Sequence, residues 1–138
     1  MSATFVLDCS IAMAWLFGDE ATPSTAALLS RLGSETVLVP AWWFIEVTNV
    51  LALAERKGRI ATAQSDAFIA DLGKLGIERD DEAPIRAFTN LLPLCRAHRL
   101  TCYDAIYLEL ALRRDLPLAT LDADLRKTAK LLGLRLLG

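Results

Sequence analysis

Four acidic residues in this sequence sit where a carboxylate is expensive to hold. Asp8 closes the apolar run TFVL, Glu46 interrupts WWFIEVTNV, Asp104 follows Thr101 in TCYDAIY, and Asp122 closes LPLATL. A charge buried without a partner is costly, so each acid either satisfies backbone N–H groups at a helix start or belongs to a site that takes an ion. Capping accounts for Asp8 ahead of Ser10, for Asp104 three residues after Thr101 as a variant capping box, and for Asp122 at the head of a helix. Glu46 is harder to explain that way. Its helical neighbours three and four residues away are Trp42, Trp43, Asn49 and Val50, so no cation is offered to it. Carboxylates gathered in one place raise one another's pKa unless a cation screens them. Hard oxygen ligands with open positions suit Mg²⁺ or Mn²⁺, and such a site activates a water and steadies charge on a phosphoryl oxygen, as in metal-assisted phosphodiester hydrolysis.

The elements that must position these acids alternate short apolar runs with longer segments of helical period, the pattern of a parallel sheet covered by helices. Strands are expected at residues 4–8, 36–40, 77–80 (weak), 116–122 and, at an edge, 134–137. Helices are expected at 10–18, 23–33, 41–58, 62–76, 81–99 with Pro93 kinking or splitting it, 102–115 and 123–133. In right-handed crossovers every connecting helix starts at the carboxyl edge of the sheet, where open α/β sheets bind ligands. Asp8, Glu46, Asp104 and Asp122 all fall on that edge.

The 138 residues form a single domain with one core. Hydrophobic residues make up 54%, above the roughly 45–50% of ordinary soluble domains, and mean hydropathy is +0.35. More apolar surface than one small core can hide favours a homo-oligomer or an obligate partner. A net charge of −2 provides no broad basic footprint, so a phosphate-bearing ligand has to be held locally. Cys9, Cys95 and Cys102 show neither a disulfide framework nor thiolate zinc spacing, which fits a reducing cytoplasm. No apolar run approaches the roughly 20 residues that cross a bilayer.

The stretches VLDCS, FIEVTNVL, YDAIYLELA and ATLDADL resemble, in order and spacing, the motifs of PIN-domain ribonucleases, and more closely the VapC toxins of toxin–antitoxin pairs. The resemblance spans essentially the whole chain. It implies a three-layer α/β/α sandwich with a mainly parallel sheet and a Mg²⁺- or Mn²⁺-dependent endoribonuclease. Asp8, Glu46, Asp104 and Asp122 would form the acidic metal-site quartet, supported by Ser10 and Thr120, with Asp124 assisting. It also implies a homodimer, an RNA substrate and inhibition by a VapB-type antitoxin whose C-terminal segment wraps the toxin.

Among the other residues, Trp43 is expected in the core, by its spacing with Val47, Val50 and Ala54, and Trp15 and Trp42 at a partner surface. The clusters Arg56/Lys57/Arg59 and Arg113/Arg114 read as solvated helix ends, whereas Arg126/Lys127/Lys130 lies nearest the acids in sequence. His98 is expected to be exposed, and Cys9 to pack as a small apolar residue. Two rival readings remain. A receiver-like phospho-acceptor domain also gathers acids around Mg²⁺, but wants a Lys ending its last strand, where LRLLG has none. A non-catalytic binding module would use the acids only as caps.

Overall fold

The computed structural model describes residues 2–138. Five strands, β1 (Ala3–Leu7), β2 (Thr36–Pro40), β3 (Ile77–Asp80), β4 (Leu118–Ala119) and β5 (Leu136–Leu137), form one sheet in the order β3-β2-β1-β4-β5. Every pairing is parallel. Phe5, Val6 and Leu7 of the central strand are fully buried, as are Val37 and Val39 beside them. Such strands read as continuous apolar runs because helices cover both faces. β5 lies at an edge, as expected.

The strand expected over 116–122 is shorter in the structure. Val6 N donates to Pro117 O, Asp8 N to Ala119 O, Leu118 N to Arg135 O and Thr120 N to Leu137 O. Pro117 has no N–H to donate, and beyond Thr120 the chain turns into the next helix. Asp122 therefore caps that helix rather than ending a strand. The expected strand at 134–137 narrows to match its shortened neighbour.

Helices α1 (Cys9–Leu16) and α2 (Pro23–Arg31) link β1 to β2, and α3 (Ala41–Arg56) and α4 (Thr62–Leu72) link β2 to β3. A capping box between Thr22 and Thr25, with Pro23 in the first turn, starts α2. α4 stops at Leu72, short of the expected residue 76. Gly76 then lets the chain pass close to β2, since a Cβ there would meet Glu35 O at 3.2 Å. The segment expected to be helical over 81–99, kinked or split at Pro93, divides into α5 (Ala83–Arg86), a π-helical turn (Ala87–Leu91) and α6 (Leu92–His98). Pro93 cannot donate to the carbonyl of Thr89 and its ring crowds that group, so the helix widens just ahead of it. α7 (Cys102–Arg114) leads into β4, and α8 (Ala123–Leu131) joins β4 to β5. With right-handed crossovers, α1–α4 cover one face and α5–α8 the other, giving three layers.

Arg113 is not the solvated helix end that its position suggests. Its side chain is 14% exposed and pairs with Asp80 at 3.0 Å, Glu82 at 2.7 Å and Glu109 at 2.9 Å. Asp80 is thus a further acid at the carboxyl edge, but it is answered by a guanidinium. Trp43 is buried as expected. Trp15 is half-buried, and its Nε1 donates to Thr25 O at 2.8 Å, so it ties α1 to α2 rather than facing a partner. Trp42 stacks on Tyr103 with ring centroids 4.6 Å apart. His98 is half-buried, not exposed. Among the described residues no helix is long and apolar enough to cross a membrane.

Candidate acidic site

Asp8 sits at the N-cap position of α1, yet its side chain makes no capping hydrogen bond. Its carboxylate instead accepts from Ser10 Oγ at 2.6 Å and from Thr120 Oγ1 at 2.7 Å. Each hydroxyl has one proton, and both are oriented by the backbone of the β4–α8 turn. Leu121 N donates to Ser10 Oγ at 2.9 Å and Asp122 N to Thr120 Oγ1 at 3.1 Å. The hydroxyl protons are thereby left to point at Asp8. The carboxyl is 6% exposed, and burial raises its pKa although the two hydroxyls oppose the shift.

Glu46 lies in the second turn of α3 and accepts a 2.6 Å hydrogen bond from Tyr107 Oη in the second turn of α7. Both helices start at the carboxyl edge, which is how side chains 61 residues apart meet. Burial, with repulsion from Asp8 and Asp104, pushes Glu46 up to about 7 against the Tyr107 bond. Burial and then Asp122, Asp8 and Asp124 push Asp104 up to about 6. The Thr101 hydroxyl accepts from Asp104 N at 3.3 Å and caps α7. Asp122 is exposed, and its Oδ1 accepts from Leu125 N at 2.8 Å, so here the capping reading holds.

All four acids line one cavity of about 310 Å³ together with Ser10, Met13, Phe17, Glu20 and Arg59. Thr120 stands behind it on Asp8. Asp124 lies outside this cavity and shares with Asp104 a neighbouring cleft that also holds His98 and Lys127. Arg126 faces elsewhere, donating to Thr120 O at 2.7 Å. Cys9 is buried against the acids, which push its thiol up and leave it unreactive, after burial itself. Sequence reasoning missed Tyr107 and Arg59. The first had a signal, since it lies one helical turn after Asp104 in YDAIY.

Among the described residues no Lys, Arg or His pairs with any of the four acids, and no three acidic, His or Cys side chains are grouped closely enough to cage an ion by themselves. That donor set suits an ion that keeps several waters and takes only one or two carboxylates plus substrate oxygens, which is the habit of Mg²⁺. Asp8 would anchor such a set, being buried, oriented and without a cation. Tyr107→Phe removes the donor that opposes the upward shift of Glu46. It is expected to weaken Mn²⁺ binding at pH 7 by about tenfold or more, with part of the loss recovered at pH 8. Calorimetric titration at the two pH values measures both.

A parallel five-stranded sheet with an acidic pocket at its carboxyl edge defines an α/β protein of open-sheet type. The sequence profile of the PIN domain matches residues 5–131, and the chain belongs to that family, whose members are nucleases. No curated protein matches the chain in sequence. Solved structures share its fold. A crystal structure of PAE2754 from Pyrobaculum aerophilum superposes with a TM-score of 0.71 at 21% identity, covering 97% of this chain and 83% of that one. VapBC2 from Rickettsia felis, crystallised with a DNA fragment from its promoter, gives 0.69 at 14% identity over 96% of each chain. FitAcB from Neisseria gonorrhoeae gives 0.67 at 17% identity, covering 98% and 97%.

Proposed function

We propose that this protein is a Mg²⁺- or Mn²⁺-dependent endoribonuclease acting in the cytoplasm as the toxin of a VapBC-type toxin–antitoxin pair. The observation that carries the reading is Asp8, a buried carboxylate aimed by two hydroxyls into a pocket of further acids and lacking a cation. Asp8 would ligate the ion, with Glu46, Asp104 and Asp122 around the same pocket serving it directly or through its waters, and Asp124 would assist beside Asp104. When bound, the ion supplies an activated water and neutralises charge developing on the phosphoryl group. Ser10 and Thr120 keep the Asp8 oxygen in place, and the Tyr107 bond opposes the upward shift of Glu46. The receiver reading gains no support, because the last strand, β5 (Leu136–Leu137), carries no Lys.

Two exposed apolar regions support the partners. A groove of about 590 Å³ between α3 and α4, lined by Trp43, Phe44, Val47, Leu51, Ile69 and Leu72, fits the apolar face of an antitoxin helix. Ile85 and Phe88, 80% and 87% exposed beside the π-helical turn, suit a homodimer contact. The test is incubation of purified protein with total RNA. Discrete fragments are expected with Mn²⁺, disappearing on EDTA and returning when Mn²⁺ is restored. Intact RNA at every metal concentration would overturn the reading.

A further inference from the structure

Arg59 lies between α3 and α4, in a basic cluster that the sequence presents as a solvated helix end, and the structure holds it differently. Its guanidinium lies over the Phe17 ring, 3.6 Å from the centroid, and Phe17 is itself buried. Nη2 alone makes the polar contacts, with Asp19 at 2.8 Å and 3.0 Å and with Glu20 at 2.9 Å. Among the described residues Nε and Nη1 have no hydrogen-bond partner. A guanidinium fixed by its face and by one nitrogen keeps its other donors oriented, and those donors match a phosphate. Asp19 is 75% exposed, and exposed ion pairs of this kind contribute little to stability, so the arrangement is poorly explained as a brace.

Placement supplies the second half. Among the described residues Arg59 is the one cation lining the cavity that also holds Asp8, Glu46, Asp104 and Asp122. A polyanion entering that cavity meets carboxylates, and the chain as a whole has a net charge of −2, so its overall charge does not draw the polyanion in. We infer that Arg59 is the substrate-binding residue of this site and donates through Nε and Nη1 to the non-bridging oxygens of the RNA phosphodiester that enters the pocket. This assignment rests on the ribonuclease reading.

The experiment compares wild type with Arg59→Gln, Arg59→Lys and Asp19→Asn on a fluorescein-labelled single-stranded RNA of mixed sequence. Each variant's melting temperature and Mn²⁺ affinity are recorded alongside. Arg59→Gln is expected to lower kcat/KM about 10- to 100-fold, mostly through KM. It should also make the salt dependence of RNA binding shallower by about 0.7 in log–log slope. Mn²⁺ affinity should stay unmoved. Arg59→Lys should recover only part of the loss, because an ammonium lacks the planar fork. Asp19→Asn removes the charge and one of the three acceptors on Nη2 while keeping the guanidinium, and should cleave within about twofold of wild type. A loss in Asp19→Asn equal to that of Arg59→Gln, or an unchanged kcat/KM and salt slope in Arg59→Gln, overturns the assignment while leaving the nuclease reading standing. A wild-type protein that cuts no RNA overturns both.

Discussion

Asp8→Asn is expected to do two opposite things at once: abolish metal-dependent RNA cleavage, with a fall of more than about 100-fold, and raise the melting temperature of the metal-free protein. The first follows from removing the most buried and best oriented ligand of the proposed site. The second follows from the same burial. In the metal-free protein the carboxylate is desolvated and repelled by Glu46 and Asp104, which is the direction of all three pKa shifts. An amide of the same shape can place its oxygen where Oδ2 stands and accept from both hydroxyls, with no charge to desolvate. A stabilisation of about 1–2 kcal/mol, or several degrees, is the expected size. Differential scanning calorimetry of both proteins in EDTA, beside a cleavage assay in Mn²⁺, reads both effects. A variant that is inactive and less stable than wild type in EDTA would contradict the account of a strained acidic pocket.

The same shifts fix the pH dependence of the metal-free wild type. Glu46 at about 7 and Asp104 at about 6 lie above their unfolded values of 4.5 and 3.8. The folded state therefore binds more protons than the unfolded one across that window, and stability falls as pH rises. Unfolding measured in EDTA should show a protein more stable at pH 5 than at pH 8. Saturating Mn²⁺ should shrink the difference, since a bound cation favours the ionised carboxylates.

Arg113→Met is the substitution expected to damage the fold most. Asp80 and Glu109 have side chains only 7% exposed, and both depend on this guanidinium for compensation. Breaking a buried pair by deleting one partner costs about 3–5 kcal/mol, a large part of the roughly 5–15 kcal/mol that holds a domain together. For Asp80, burial raises the pKa but the Arg113 hydrogen bonds outweigh it and the carboxyl ends below 3.8. Its contribution is thus present above the unfolded value and lost as pH falls through the folded one. In Arg113→Met the sign reverses, because an unpaired buried carboxyl prefers its proton, so the variant should recover stability on acidification from pH 7 to pH 4.5. Urea unfolding at the two pH values distinguishes these behaviours. The triple variant that adds Asp80→Asn and Glu109→Gln should regain much of the loss, which mere loss of packing by Arg113 would not allow.

The acids were legible in the sequence because each interrupts an apolar stretch or opens a helix at the edge where strands end. Glu46 stood out since its helical neighbours leave its charge unexplained, whereas capping alone could account for Asp8, Asp104 and Asp122. Ser10 and Thr120 were legible as supports only through the resemblance of their motifs, and the structure adds the backbone N–H groups that aim them. Arg113 was misread because two of its partners, Asp80 and Glu82, are 33 and 31 residues away, and only Glu109 lies at helical spacing. Arg59 was missed for the same reason, its contacts lying 40 and 39 residues back. Pro93 announced a break, but the widened turn ahead of it depends on how α6 packs on α7. β4 and β5 read too long, since leucine-rich runs do not reveal where a chain leaves its sheet.

β1 is hydrogen-bonded on both sides, with Val6 N and Asp8 N held by β4 while β2 pairs along its other edge. The amide protons of Val6 and Asp8 should therefore exchange with solvent only when the whole domain opens, while those at the exposed start of α8, around Asp122 and Ala123, exchange by local fraying. The acidic set thus has one immobile member and one at a yielding rim. Because Leu121 N and Asp122 N at that rim also hold the two hydroxyls that aim Asp8, opening of the β4–α8 turn should reach the buried carboxylate as a loss of its orientation.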